Sequence, residues 1–352
     1  MNKVQNEYAD ELIDSSRISV VIQGLTHYVE GDDNCLFYQC VNSIKKYLPD
    51  AEIIVSTWEG QACDESSVDK VIYTKEPDNI IDDYLGNPCN FNKMILSTKV
   101  GLDYSKREFV LKFRANLSLK NNNFFHIDDT DNLEKYKKYK FFNKKINVTN
   151  MAITTPLSYQ HMLFHLSDIV QFGRKQDVMN LWDIDLLSAN ELKNKFKWYN
   201  CLSFPGWIGI RLSNEQFLLV EFLKKNNIKL DIPYCSYISW SYFKISELVL
   251  SKNFKVFNWQ DAGVVYPERF TDNPYVLNNY MYKANEINNI YIKYDNSFFL
   301  VKRFFRLYLN FYFLKFFSRD FKDNFIKSVF VFISPKFFLD SRDFWRKFKG
   351  RG

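Results

Sequence analysis

"ISVVIQG", residues 18 to 24, is a run of mostly β-branched apolar residues broken off by glutamine and glycine. It is too short for a typical helix and reads as a strand buried on both faces. Outward from it, Phe37, Val41, Ile44 and Leu48 fall at intervals of 4, 3 and 4. That is one face of a helix, which Asp33 or Asn34 can cap and Pro49 follows. "AEIIVSTWEG" (51 to 60) and "VDKVIYTKEP" (68 to 77) read as further strands, "NKMILSTKVGLDYS" (92 to 105) as a helix and "EFVLKFRANLSL" (108 to 119) as a strand with a polar end. Strand, helix, strand, strand, helix, strand predicts an α/β fold with parallel strands and right-handed crossovers. Further on, "HLSDIVQFGRKQDVMNLWDID" (165 to 185) predicts a strand at Ile169 to Phe172, a turn at Gly173 and a helix from Asp177. "LSNEQFLLVEFLKKNN" (212 to 227) is helical, with Ser213 and Gln216 placed as a capping box.

The composition is that of a globular chain: 352 residues, 46% hydrophobic and 25% charged, enough for one large domain or two small ones. Scarce glycine and proline (11 and 9) argue against a turn-rich all-β fold. The six cysteines form no C-x-x-C pair and no zinc spacing, and "MNKVQNEYADELIDSSR" has no apolar core of a secretory signal. Free thiols in a reducing cytosol are expected, which leaves the sequons at Asn116 and Asn147 without meaning. Charge is unevenly placed. Residues 301 to 352 hold 13 Lys+Arg against 4 Asp, a net of +9 in a chain of +6 overall, together with 14 of the 34 Phe. This shift divides the chain into a polar N-terminal extension (1–16), a main domain (17–295) and a basic, Phe-rich helical tail (296–352). In the tail Leu300, Phe304, Leu307, Phe311 and Leu314 form a narrow apolar stripe flanked by Lys302, Arg303 and Arg306. The charges are too frequent for a spanning helix, and "SVFVFIS" is too short to span. Basic residues with Phe and Trp345 fit helices lying in the interface of an anionic membrane. No nucleic-acid motif accompanies them, so nucleic acid is not an expected partner.

In open parallel sheets ligands bind beyond the carboxyl ends of the strands. Here those ends are Gln23-Gly24, Ser56-Thr57-Trp58-Glu59 and Arg114-Ala115-Asn116, all polar. Lys112 and Arg114 are two apart, hence on one face of their strand.

The stretches "SVVIQG", "CVNSIKKYLPDAEIIVSTWEG", "NKMILSTKVGL", "FVLKFRANL", "FHLSDIVQFG" followed by "LW", and "SNEQF" with "FLKKN" and then "NFKVF" occur in the order of a known family. Over about residues 17 to 270 the chain resembles the WavE lipopolysaccharide-synthesis family, bacterial proteins similar to GT-A-type glycosyltransferases. The resemblance implies a GT-A-like fold, a mixed, mostly parallel sheet flanked by helices. It also implies transfer of a sugar, expected to be a hexosyl group, from a nucleotide-sugar donor to a lipid-linked or core glycan. The expected place is the inner face of the cytoplasmic membrane. Two departures stand out: Arg114-Ala115-Asn116 replaces the family's Arg-x-Asp, and Asn92-Lys93 its Asn-Arg.

Such a transfer needs positive charge at the leaving phosphates and a base for the acceptor hydroxyl. Mg²⁺ or Mn²⁺ held by carboxylates is one source of charge, but Asn116 offers only a neutral carbonyl oxygen and no metal ligand set is evident. Arg114, Lys112 and Lys93 can neutralise a diphosphate directly. A metal-weak or metal-free donor site is therefore expected, with Gln23, Gly24, Thr57, Trp58, Asn92 and Asn116 as further donor contacts. Glu215, in the first turn of its helix, and Asp168 of "HLSD" are the candidate bases; His165 and Gln216 are candidate acceptor contacts. "DDTD" (128 to 131) reads as a solvated loop. A non-catalytic member of a polysaccharide-synthesis complex, or a donor of another activated-phosphate class, are the alternatives.

Overall fold

The structure is a computed structural model. It describes residues 11–81, 88–127, 136–155, 162–192, 211–272, 281–309, 325–327, 329–330 and 333–348. The expected loop at 128 to 131 and the stripe positions Phe311 and Leu314 lie outside these residues.

Among the described residues, seven strands form one sheet. In chain order they are β1 (Ile18–Gln23), β2 (Glu52–Trp58), β3 (Lys70–Thr74), β4 (Phe109–Arg114), β5 (Ile146–Thr149), β6 (Gln171–Arg174) and β7 (Phe254–Phe257). The spatial order is β7-β5-β6-β4-β1-β2-β3. β4, β1, β2 and β3 are parallel, as are β5 and β7, while β6 runs antiparallel between β4 and β5. The fold is thus mixed α/β with a mostly parallel sheet. β1 lies inside the sheet and all six of its residues are buried, as its mostly apolar run requires. Val21 packs into one apolar cluster, with Val110 of β4, while Val20 and Ile22 pack into a second, with Leu111 and Phe113. The pleat sends alternate side chains to opposite faces.

The helix after β1, α1 (Leu36–Tyr47), buries Phe37, Cys40, Val41 and Ile44. Its N-cap is Cys35 rather than Asp33 or Asn34, and no side chain caps it. Asp32 uses its carboxylate on the Asn34 N–H in a local turn and its carbonyl on the Cys35 N–H, so the helix starts later than expected. α2 (Phe91–Tyr104) packs on β1 and β2. The expected turn at Gly173 is also corrected. Gly173 lies inside β6, and α3 (Lys175–Trp182) follows directly. A Cβ there would sit 3.3 Å from Ile146 Cγ1, so the glycine serves close strand approach rather than chain reversal.

α4 (Asn214–Lys225) carries the predicted capping box. α5 (Trp240–Asn253) leads into β7, and the tail contributes α6 (Ser297–Tyr308) and α7 (Pro335–Phe348). At the other end, Glu11–Leu12 pairs with His126–Ile127. α6 is packed against the main domain. Leu307 is fully buried, Phe304 meets the Trp240 ring at 5.4 Å, and Arg303 forms an ion pair with Glu247 of α5, which is 1% exposed. Of the predicted tail stripe, then, Leu300, Phe304 and Leu307 pack toward the protein.

Candidate active site

The cleft opens where the sheet argument places it. It has a volume of about 530 Å³, a normal size for a small-molecule site, and the carboxyl ends of β1, β2 and β4 contribute Gln23, Gly24, Trp58, Arg114, Ala115 and Asn116 to its lining. Gly24 has φ +91°, so the chain turns out of β1 through a conformation that favours glycine. Three residues on, His27 also has positive φ, 55°, and Ala152 in the same lining has 72°. Non-glycine residues in this region cost energy and concentrate at functional sites.

The cations group on one part of the lining. Arg114 leaves the end of β4, and Arg269 comes from the short helix Glu268–Thr271; both guanidiniums lie by the Phe270 ring, at 5.8 and 5.0 Å. Among the described residues neither makes an ion pair. Burial and the neighbouring Arg114 hold the Arg269 guanidinium below its ordinary range. Burial, then Arg269 and Arg114, likewise lower His27. Like charges brought together without an ion-pair partner are costly unless an anion joins them. Asn116, 7% exposed, adds a buried Oδ1 with no hydrogen-bond partner among the described residues.

The acids come from other elements. Glu215 follows the Ser213 cap in the first turn of α4, where exposed N–H groups and the helix dipole favour a carboxylate. His165 Nε2 lies 3.5 Å from Glu215 Oε2, and the buried His165 Nδ1 has no hydrogen-bond partner among the described residues. Asp168 is 7% exposed and lines the same cleft. Lys93 is there too, tied to Glu76 at 2.7 Å. Gln23 Oε1 lies 2.8 Å from the Ser97 hydroxyl, which is also 2.7 Å from the Lys93 carbonyl.

Four expected site residues do not line the cleft. Lys112 shares a strand face with Arg114 but lies one pleat deeper, roughly 6.6 Å at a strand's rise. It is fully buried, donates to the Asp168 carbonyl and sits 4.9 Å from the Trp182 ring, so the paired clamp is not formed. Asn92 spends its amide on Leu187, donating to its carbonyl at 3.0 Å and accepting from its N–H at 2.7 Å. Gln216 completes the capping box and donates to the carbonyls of Leu163 and Cys235, at 2.9 and 2.8 Å, leaving nothing for an acceptor sugar. Thr57 is buried beneath the strand end. Residues the sequence reading missed are His27, Arg269, Phe270 and Ser97. His27 could have been found as the neighbour of Gly24 in the strand-end loop; Arg269 carries no motif.

Lys112 yields a stability prediction. Desolvation pulls its amine from 10.5 down to about 8. The unfolded chain therefore binds more protons between these values, and stability rises with pH across that window. Below pH 8 the buried ammonium costs about 3 kcal/mol, at about 1.4 per pH unit. Lys112→Met loses a hydrogen bond of about 1 kcal/mol. It should be about 1–2 kcal/mol more stable than wild type at pH 7 in urea titrations. The gain should vanish or reverse by pH 10; an equal gain at both pH values would contradict the account.

The described residues do not fit a divalent cation. No group of three or more His, Cys, Asp or Glu among them is placed to hold one. The strand end offers an arginine and a neutral amide, and Glu76 is already paired.

No curated protein matches the chain. A solved structure of Drosophila beta-1,4-galactosyltransferase 7, a mutant in complex with manganese, UDP-Gal and xylobiose, is similar over 61% of this chain and 64% of its own, at 11% identity and a TM-score of 0.27. The chain thus spans less than two thirds of that structure's length. Residues 18–322 match the family described as WavE lipopolysaccharide synthesis. That match runs from the first residue of β1 through α6 and takes in the whole seven-stranded sheet and the lining of the cleft, and the chain belongs to the WavE lipopolysaccharide synthesis family.

Proposed function

We propose that the protein is a nucleotide-sugar-dependent glycosyltransferase that adds a sugar to a lipid-linked or core glycan at the cytoplasmic face of the membrane. The fold is read as GT-A-like on the strength of the family resemblance. The observation that carries the proposal is the cleft at the strand ends, where Arg114 and Arg269 meet by the Phe270 ring with no ion-pair partner among the described residues, His27 stands near them, and Glu215 and Asp168 share the lining. Two guanidiniums supply the same +2 as a divalent cation, fixed in place before the reaction. On this reading the donor diphosphate lies against Arg114 and Arg269, Asn116 accepts a hydrogen bond from the donor through its unpartnered Oδ1, and Trp58 packs on the base or sugar. As the bond from the anomeric carbon to the phosphate oxygen breaks, the electron pair leaves with the nucleoside diphosphate and meets that positive charge. The acceptor oxygen forms the new bond to carbon and gives its proton to a carboxylate. Glu215, backed by His165, is the first choice for that carboxylate and Asp168 the second.

The direct test is thermal stabilisation of the purified chain by UDP, GDP and CMP and their sugars, each with Mn²⁺ and with EDTA. Stabilisation by one nucleotide class that survives EDTA is expected. Stabilisation only with Mn²⁺ would replace the arginine reading by a metal site, and none with any donor would favour a non-catalytic member of a synthesis complex. Glu215→Gln should lower kcat roughly 10²- to 10⁴-fold with donor affinity unchanged, as removal of a general base does. If Asp168→Asn shows that loss and Glu215→Gln does not, the base is Asp168. His27 adds a proton signature. It is held low in the free protein, and a bound diphosphate favours its charged form. Donor binding should take up a fraction of a proton near neutral pH, read by calorimetry in buffers of different ionisation enthalpy, and should weaken as pH rises. His27→Gln should abolish the uptake.

A further inference from the structure

α6 has two apolar faces, and only one of them is used. At 3.6 residues per turn, Leu300, Arg303 and Leu307 fall together, and this is the face packed on the domain. Phe298, Val301, Phe305 and Leu309 fall together on the opposite side, within about a quarter-turn of one another. Their exposures are 77%, 52%, 65% and 54%. The helix cannot turn this second stripe inward, because Arg303 is held from the other side by Glu247 and the Trp240 N–H donates to the Tyr308 hydroxyl at 3.1 Å.

We propose that the outer face of α6 is a docking surface for an anionic lipid bilayer. The charges around the stripe select this occupant. Between Ser297 and Leu309 there is no acidic residue; of the three basic ones Arg303 is spent on the inner face, and the exposed Lys302 adjoins the stripe with Arg306 beside it. A surface of large apolar side chains flanked by basic ones buries the first in the acyl boundary and sets the second among anionic headgroups. A second copy of the chain fits poorly, since a two-fold pairing of this face would bring the Lys302 and Arg306 rows of both copies together. No helix among the described residues is long and apolar enough to cross a membrane, so α6 would lie in the interface plane, held to the domain by its inner face. The apolar residues of α6 thus separate into two functions: Leu300, Phe304 and Leu307 attach the helix, and Phe298, Val301, Phe305 and Leu309 meet the lipid. This surface goes beyond the transfer reading and stands independently of it: a chain that transfers no sugar would still bind through it.

The test is co-sedimentation of the full chain with vesicles of phosphatidylcholine, with and without roughly 30 mol % phosphatidylglycerol. Wild type should bind the anionic vesicles, and about 0.5 M NaCl should weaken that binding by screening. Phe298→Ser with Phe305→Ser should lower the partition coefficient roughly tenfold or more, from the lost apolar burial. Both positions are exposed, so the melting temperature should not fall, and an unchanged far-UV spectrum confirms the fold. Lys302→Glu should weaken anionic binding without affecting the fold. Wild-type partition into the double variant, equal binding to neutral vesicles, or no binding by wild type would each overturn the proposal. So would a self-associated chain that the double substitution dissociates without any vesicle binding.

Discussion

Replacing both Arg114 and Arg269 with alanine should weaken nucleoside-diphosphate binding by roughly 100-fold or more, since charge-assisted hydrogen bonds contribute about 1.5–3 kcal/mol each. The two guanidiniums sit by one phenylalanine ring and have no ion-pair partner among the described residues, so their removal breaks no ion pair there and costs only the contact with Phe270. The melting temperature should hold or rise slightly, because a like-charge repulsion is relieved. That combination, binding lost and stability kept, is the mark of charges retained for a ligand. Calorimetric titration with UDP and GDP in EDTA reads the first quantity, and thermal unfolding reads the second. Unchanged affinity in the double variant would remove the arginines from the donor site. Loss of wild-type binding on adding EDTA would show that a metal carries the diphosphate.

The largest effect on stability is expected at Glu247. Its carboxylate is 1% exposed and accepts from the hydroxyls of Tyr282 and Tyr294, the latter at 2.5 Å, while pairing with Arg303. Arg303 lies between the rings of Phe243 and Phe299, at 5.4 and 5.6 Å, and is 8% exposed. Glu247→Ala strands a guanidinium and two phenols in an apolar setting, and breaking a buried pair from one side costs about 3–5 kcal/mol. Urea titration should show that loss. α6 should detach first, so protease sensitivity should appear near residue 297 before the sheet unfolds. Replacing both partners, Glu247→Leu with Arg303→Met, removes the uncompensated charge and should recover most of the stability. If Glu247→Ala is within about 1 kcal/mol of wild type, the pair does not hold the helix.

Much of this protein was legible in one dimension. The mostly apolar runs at 18–22 and 109–113, interrupted only by Ser19 and Lys112, forecast buried strands, because a strand covered on both faces shows no strict alternation. The intervals in α1, the capping box of α4 and the polar strand ends followed from periods and short-range hydrogen bonding, which neighbouring residues control. Hence the cleft, with Gln23, Gly24, Trp58, Arg114 and Asn116 on its lining, could be placed without coordinates. What needed the tertiary structure was depth and partnership. Period two puts Lys112 and Arg114 on one face, but only the end of the sheet decides that the first is sealed under Trp182 and the second meets solvent. An amide such as that of Asn92 or Gln216 serves a ligand or a backbone equally well until its neighbours are known; here they are Leu187, and Leu163 with Cys235. Arg269 joins Arg114 across more than 150 residues, with no local pattern to announce it. The tail shows the same division. Helical spacing determines that α6 has apolar stripes, whereas the position of Glu247 on α5 determines which stripe is buried and which is left to face outward.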